Sequence, residues 1–285
     1  MSSTTIITEH PGWHDTPTGD PVRVVEHRGS AWLARWETER EHLLLRALDR
    51  TESEPPPVAY TSAVDLPTTA EAAPLLDELV RLGTVARLTN PSLWDAITTA
   101  LLRQVVTAAE ARECHRAYYA AYGYTFDTPA GPLPLAPAPE IVLELTDDEF
   151  ASVGAKFHRK GLRTAATAYL DHGDHWATLA PGSLIKELAE VPYIGPWTAS
   201  AAAADFTGDH SLYPHADLAV RTWASRAAPA VALPSTNRDF ETLWRRWAPT
   251  RSQLHALTLF TLAWGTAPRA HRAAQMLSPL KGSPT

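Results

Sequence analysis

The sequence predicts a mainly α protein with a small β-rich N-terminal lobe, and three observations carry that reading. Apolar residues recur at helical spacing from about residue 70 onward, helix-cap signals punctuate that region, and the first 66 residues alternate instead. With 45% apolar and 20% charged residues, the 285-residue chain suits a full-sized core and excludes a disordered protein. Twenty-four prolines against fourteen glycines point to many short elements with firm stops. The expected division is a β-rich lobe over 1–70 and a two-lobed helical domain over 71–285.

Val22 to Glu26 and Ala31 to Trp36 alternate around His27-Arg28-Gly29-Ser30, the pattern of a hairpin turning at Arg28-Gly29. Glu41 to Ala47 fits a strand or a helix, and Val58 to Ser62 a strand; Pro55-Pro56-Pro57 reads as a loop. Asn90-Pro91 is a good helix start, followed by Leu93, Ile97, Leu101, Val105 and Ala108 on one face. Residues 123–139, rich in proline and glycine, read as a loop. Thr146-Asp147-Asp148-Glu149 has capping-box form and opens a helix expected to run through Phe157. Further helices are expected over Lys160 to Leu170, from a Ser183 cap to Glu190, over Pro196 to Phe206 with Gly208 as stop, and over Asp217 to Ala227, Arg238 to Trp247 and Ser252 to Trp264.

Several function classes are excluded early. One cysteine, Cys114, supports neither a disulfide framework nor a cysteine-ligated cluster. No G-x-x-x-x-G-K-[ST], G-x-G-x-x-G or G-x-S-x-G is present, so phosphate cradles and nucleophile elbows find no support. His172, Asp174 and His175 could ligate a metal but read better as solvated residues at a helix end. No apolar run reaches the ~20 residues of a membrane span and no secretory signal is visible, so a cytoplasmic protein is expected.

The net charge of −7 is unevenly spread. Residues 1–80 carry 14 acids and 6 bases, whereas residues 242–285 carry six bases and no acid: Arg245, Arg246, Arg251, Arg269, Arg272 and Lys281. A second basic knot comprises Lys156, His158, Arg159, Lys160 and Arg163. A polyanion could dock on such patches, and two solvated helix faces would look the same.

Leu188-Ala-Glu-Val-Pro-Tyr-Ile-Gly-Pro-Trp-Thr-Ala199 joins two helices through a tight Pro192-Tyr193-Ile194-Gly195 turn. Amides at the start of the second helix lack intrahelical partners and favour an anion, although an ordinary helix corner has the same form. About twenty residues on stands Tyr213-Pro214-His215-Ala216-Asp217. An aspartate at a helix start is ordinarily a cap, and the helix dipole there favours its ionised form.

Taken with their spacing, these residues resemble the helix–hairpin–helix DNA glycosylases, in particular the 3-methyladenine DNA glycosylase II branch. Trp94-Asp-Ala-Ile97 leading to Arg103-Gln104-Val105-Val106 is similar to the family's helix ending in a glutamine-bearing wedge. Leu133 to Pro137 through Phe157-His-Arg-Lys160-Gly161, and Trp247-Ala-Pro249-Thr-Arg251-Ser252, resemble its middle segment and its late motif. The resemblance covers about residues 75–280.

The resemblance implies base flipping and cleavage of an N-glycosidic bond in double-stranded DNA, in base excision repair, by a protein expected to be monomeric. It makes Asp217 the catalytic carboxylate and places Trp197, His215 and Ala201 at the base pocket. It assigns Tyr193, Ile194, Gly195 and Thr198 to DNA phosphate, Gln104 or Val105 to the gap left by the flipped base, and Arg251 to DNA contact. No resident cofactor is implied, beyond a monovalent cation that the hairpin could hold. Relatives that also cut the strand carry a Schiff-base lysine where this chain has Trp197, so a monofunctional enzyme is expected. A tryptophan face would suit a cationic alkylated base, unless the residue is simply core. Two departures stand out: Tyr193 replaces a glycine and would be strained if φ is positive there, and Ala201 replaces an aromatic residue, which would widen the pocket. A glycosylase for deaminated or bulky bases, or a non-catalytic damage-binding module, are the alternatives.

Overall fold

The computed structural model describes residues 3–49 and 53–267, so Arg269, Arg272 and Lys281 of the basic tail lie outside the described residues. β2 (Val22–His27), β3 (Ser30–Glu37) and β4 (His42–Ala47) form an antiparallel meander. The β2–β3 turn falls at Arg28 and Gly29, both at positive φ (51° and 75°), the geometry that matches the twist of the flanking strands. The stretch open to either reading is therefore a strand, with Leu43 paired to Trp36. A second sheet has the order β1 (Thr4–Ile6), β6 (Thr84–Leu88), β5 (Val58–Ser62). Its central strand lies beyond residue 70, in a region that reads as helical. Trp13, Trp32 and Trp36 fill the core that the two sheets share with Ala86 and Leu88.

The helices are α1 (Ala73–Leu79), α2 (Leu93–Leu102), α3 (Ala108–Tyr122), α4 (Pro139–Glu144), α5 (Asp147–Ser152), α6 (Arg159–Trp176), α7 (Pro181–Glu190), α8 (Pro196–Thr207), α9 (Leu218–Ala227), α10 (Asn237–Trp247) and α11 (Arg251–Thr266). They enclose one large apolar core that includes Trp244, Trp247 and Phe260. Helix α2 packs against both α6 and α8, and α7 packs against α8.

Several boundaries differ from expectation for local reasons. Ser92, not Asn90, caps α2, its hydroxyl accepting from Asp95 N at 3.2 Å. Asn90 is buried and bridges the Asp95 and Asp205 carboxylates. The apolar run from Leu93 ends as a helix at Leu102, because Val105 takes a positive φ of 59° and Ala108 begins a new helix. Residues 123–139 are not all loop: β7 (Thr125–Thr128) and β8 (Gly131–Pro134) pair as a hairpin. A two-stranded ribbon is edge on both sides, so prolines in it lose no required ladder bond. The Thr146–Glu149 capping box forms, but α5 stops at Ser152 ahead of Gly154 (φ 76°). Ser183 lies inside α7, which starts instead at Pro181. Gly208 closes α8 in the left-handed region (φ 78°), as its position after the last apolar residue requires.

Candidate active site and nucleic-acid interface

The turn between α7 and α8 and the start of α9 come together at the end of α2. Asp217 is the N-cap of α9: its Oδ1 accepts from Ala219 N at 2.9 Å. Its Oδ2 accepts from the Trp197 indole Nε1–H at 2.8 Å. The cap and the functional reading are thus compatible, because each uses a different oxygen. Trp197 is half-buried and leans on the main core with part of its ring.

Trp197 has a second partner that the motifs did not single out. Arg103, the residue after α2, lies with Cζ 5.8 Å from the centroid of the Trp197 ring. Its Nη2 donates to Glu9 Oε1 at 2.5 Å and to the Tyr213 hydroxyl at 3.2 Å. Burial works against the guanidinium's charge, but Tyr213, Glu9 and Asp217 more than offset it and raise its pKa. Tyr213 is buried and its hydroxyl pKa is pushed well up by that burial. Arg103 directly precedes Gln104 in the motif that ends α2, so the sequence carried a signal for it. Glu9 had none, since it lies 94 positions from its partner.

The two wedge candidates separate cleanly. Gln104 Nε2 donates to Tyr193 O at 3.0 Å and to Thr198 Oγ1 at 2.5 Å, fastening the end of α2 to the hairpin. Val105 projects instead: it is 87% exposed and holds a φ of 59°, which a β-branched residue adopts only under strain. Tyr193 likewise has a positive φ, 72°, and is 57% exposed. A Cβ on Gly161 would come within 3.3 Å of the Tyr193 Cβ, so glycine lets α6 meet the hairpin closely without pushing it aside. At the start of α6 the 71%-exposed ring of Phe157 stands between Lys156 and Lys160, both exposed. Val105 and Tyr193, exposed and joined through the Gln104 side chain, put two apolar groups from distant segments at one place, which short-range sequence patterns could not assemble.

Other expected site residues sit differently. Ile194 is buried and its N–H donates back to Val191 O at 3.0 Å, so it is not one of the hairpin's open donors. Gly195 caps α8 with no side-chain cap bond, and the space above its Cα is open. Its φ of −76° is one any residue adopts, so openness rather than backbone freedom distinguishes it. Thr198 is buried beneath Gln104. His215 is only 2% exposed, with Nδ1 unpartnered, and burial with Arg245 nearby pushes its pKa down to about 4. Its charged neighbours are Arg245 and Glu241 of α10, which makes it a core residue rather than an open pocket wall. Ala201 does not widen a pocket: it borders a polar cleft of about 30 Å³ shared with Glu9, Arg103 and Tyr213, room for about one water.

Among the described residues, the arginines of the basic patches are engaged in ion pairs. Arg251 Nε donates to Asp209 Oδ2 at 2.9 Å, Arg245 pairs with Glu241 and Arg246 with Glu71. Arg251 thus opens α11 tied to Asp209, with its side chain still 67% exposed. Arg159 and Arg163 both hold Asp147, and His158 is buried. His172, Asp174 and His175 do not gather; His175 faces Glu187 at 3.5 Å. Among the described residues, His10, Asp95 and His115 do have the composition of a metal site. The Arg23 guanidinium already takes the cation's place, at 2.8 Å from Asp95 Oδ2 and 3.1 Å from His10 Nε2. A cavity of about 770 Å³ borders this cluster and is lined by neither Asp217 nor Trp197. Among the described residues no helix is long and apolar enough to cross a membrane.

No family model matches the chain. Over 162 residues it is 31% identical to proteins of two Mycobacterium tuberculosis strains described as "Probable bifunctional transcriptional activator/DNA repair enzyme AlkA". The match takes in 55% of this chain but only 31% of those proteins' length. Among solved structures, the 3-methyladenine DNA-glycosylase of Archaeoglobus fulgidus superposes with a TM-score of 0.65 at 17% identity, over 90% of this chain and 91% of that one. The 8-oxoguanine glycosylase/lyase of Clostridium acetobutylicum, in complex with double-stranded DNA, gives 0.64 at 15% identity, over 90% and 89%. Such identities speak for architecture. With motif order and tertiary structure in agreement, this chain has the helix–hairpin–helix DNA glycosylase fold and resembles the 3-methyladenine glycosylase II branch.

Proposed function

We propose that this chain is a monofunctional DNA glycosylase, which flips an alkylated base out of double-stranded DNA and hydrolyses its N-glycosidic bond. The observation that carries the reading is the Trp197–Asp217 pair: an aromatic face hydrogen-bonded to a half-buried carboxylate, beside a strained apolar tip. As the base leaves with the electron pair of the broken bond, positive charge develops on the sugar. Asp217 stabilises that charge, and a water molecule adds its hydroxyl at C1′, its proton passing to the carboxylate or to solvent. An indole cannot form a Schiff base, so strand cleavage has no nucleophile at position 197. The alkylated-base preference is supported by the motif resemblance and by the name of the Archaeoglobus fulgidus 3-methyladenine DNA-glycosylase whose architecture this chain shares.

In this reading Val105 fills the gap in the duplex, with Tyr193 and Phe157 against neighbouring base steps, while Gln104 anchors the hairpin. The outward amides at the start of α8 take a phosphate, since the Gly195 cap leaves them without a side-chain acceptor. The carbonyls of Leu188 and Val191 each accept one N–H within the turn and retain a second lone pair, so a monovalent cation could be held there.

The test uses duplexes carrying single defined lesions, with hot alkali to reveal abasic sites. Alkali-dependent breaks at alkylated positions are expected. Breaks without alkali would overturn the monofunctional assignment, and breaks only at deaminated or bulky bases would overturn the substrate. Tight lesion binding with no base release would make the chain a damage-binding module.

A further inference from the structure

Arg103 lies between the two residues whose hydrogen bond carries the proposed function. Its guanidinium Cζ is 5.8 Å from the centroid of the Trp197 ring, in the first turn of α8. Its Nη2 donates at 3.2 Å to the hydroxyl of Tyr213, four residues before Asp217. The chain between Tyr213 and Asp217 is a tight turn, closed by Asp217 N donating to Pro214 O at 2.9 Å. One side chain thus touches both arms, the ring that donates and the turn that carries the acceptor. We infer that Arg103 is a positioning residue, held by Glu9 of the N-terminal lobe, that keeps the Trp197 indole N–H aligned on Asp217 Oδ2. This role rests on the glycosylase reading above and makes the N-terminal lobe a working part of the active site.

The alignment needs such a brace. Trp197 is only half-buried, and a hydrogen bond weakens steeply as its angle departs from linear, so a tilt of the ring would cost Asp217 its donor. A guanidinium against the ring opposes that tilt whichever face it covers, and at this distance the two attract. The brace is itself fixed. Glu9 Oε1 accepts from Arg103 Nη2 at 2.5 Å and from the Tyr213 hydroxyl at 3.4 Å, so Glu9, Arg103 and Tyr213 close a triangle. The Glu9 and Arg103 side chains are largely buried, so salt screens their attraction less than that of a surface pair. Glu9 is anchored on both sides as well. Ile7 N donates to Ala86 O beside β6 at 3.1 Å, and His10 Nε2 lies 3.1 Å from Thr99 Oγ1 of α2. None of these contacts depends on the charge of the base.

Indole N–H resonances and base release are measured on the same full-length proteins: wild type, Trp197→Phe, Arg103→Met, Trp197→Phe with Arg103→Met, and Glu9→Gln with Arg103→Met. The last removes both charges together, so no carboxylate is left unpaired to hinder folding. The indole resonance missing from Trp197→Phe identifies Trp197, and it should move in both proteins that keep this tryptophan but lack Arg103. Release at saturating alkylated duplex should fall about tenfold in those two proteins, while duplex affinity moves by less than about twofold. In the Trp197→Phe background Arg103→Met should cost less than about twofold, because the hydrogen bond it serves is already gone. A merely structural arginine would lower release by the same factor in both backgrounds. That equality, or an unmoved Trp197 resonance, would overturn the inference. If the wild-type protein releases no base, the glycosylase reading fails, and the indole resonance still decides on its own whether Arg103 holds the ring.

Discussion

The indole N–H of Trp197 points at Oδ2 of Asp217 from 2.8 Å, while Oδ1 of the same carboxylate caps α9 through Ala219 N at 2.9 Å. Both oxygens are thus oriented by donors on different helices, and the carboxylate cannot rotate without losing one of them. Hydrogen bonds to a charged group are worth about 1.5–3 kcal/mol each, so this orientation is firmly set.

Asp217→Asn should abolish base release while lesion-duplex binding is largely retained. Asparagine can keep the cap with its carbonyl oxygen, but its amide then faces the Trp197 N–H, donor against donor. A stability loss of about 1–2 kcal/mol is expected alongside the loss of chemistry. Thermal melting, duplex retention and base release measured on the same preparation check this. If release falls only in proportion to folded protein, Asp217 is a cap and nothing more.

Trp197→Phe separates the two duties of the tryptophan, because phenylalanine keeps an aromatic face and removes the N–H. Release should slow by about tenfold or more at saturating duplex, while affinity changes little, since the carboxylate loses its orienting donor and the stack survives. Equal activity in a folded Trp197→Phe protein would show that the hydrogen bond is incidental.

Gln104 and Val105 should respond in opposite senses. Gln104→Ala removes both tethers to the hairpin, at Tyr193 O and Thr198 Oγ1, and should lower stability by about 1–2 kcal/mol and weaken DNA binding. Val105→Gly relieves a positive φ at an exposed site and should raise stability by up to about 1 kcal/mol. It should nevertheless weaken binding to a lesion duplex more than to an intact one. A Val105→Gly protein that binds both as the wild type does would remove Val105 from the interface.

Acid should destabilise the fold between roughly pH 6.5 and pH 4. Burial lowers the pKa of His215 to about 4 and that of His14 to about 4, and it holds those of His10, His115 and His210 well below the usual histidine value. Such a group is neutral when folded and protonated when unfolded across that window, so the unfolded state binds more protons and stability falls as pH drops. Asp209 adds to the loss lower down: burial opposes its charge, but His255, Ser211 and Arg251 hold its carboxyl well below the usual range. Stability from a depressed carboxyl is present above its unfolded pKa and disappears as pH falls. Denaturant unfolding across this range checks the slope, and His215→Gln should reduce it by up to one proton. A flat profile from pH 7 to pH 5 would mean that these histidines titrate alike in both states.

Most local events were legible in the chain. The Arg28-Gly29 turn, the Thr146–Glu149 capping box, the Gly208 stop and the Asp217 cap all depend on a residue and its near neighbours, so short-range chemistry was enough. Even the strain at Tyr193 could be anticipated, because only the backbone angle at one position was in question. Propensity failed at β6, whose five residues become a strand because β1 and β5 flank them, and at the β7–β8 ribbon, where edge positions tolerate proline.

The site divides along the same line. Sequence by itself determined that a carboxylate stands at a helix start, that a tryptophan stands where the resemblance puts a lysine in strand-cutting relatives, and that a tight turn presents amides. Only the tertiary structure decided that Trp197 and Asp217 are hydrogen-bonded, that Gln104 is a tether while Val105 is the free tip, and that Arg251 is tied to Asp209. It alone brought Glu9 and Arg103 together from 94 positions apart and set that cation over the tryptophan ring. The physical reason is range: caps and turns are closed by atoms a few bonds away, whereas a charge network is closed by whichever distant side chains the packing of α2 against α8 leaves facing one another.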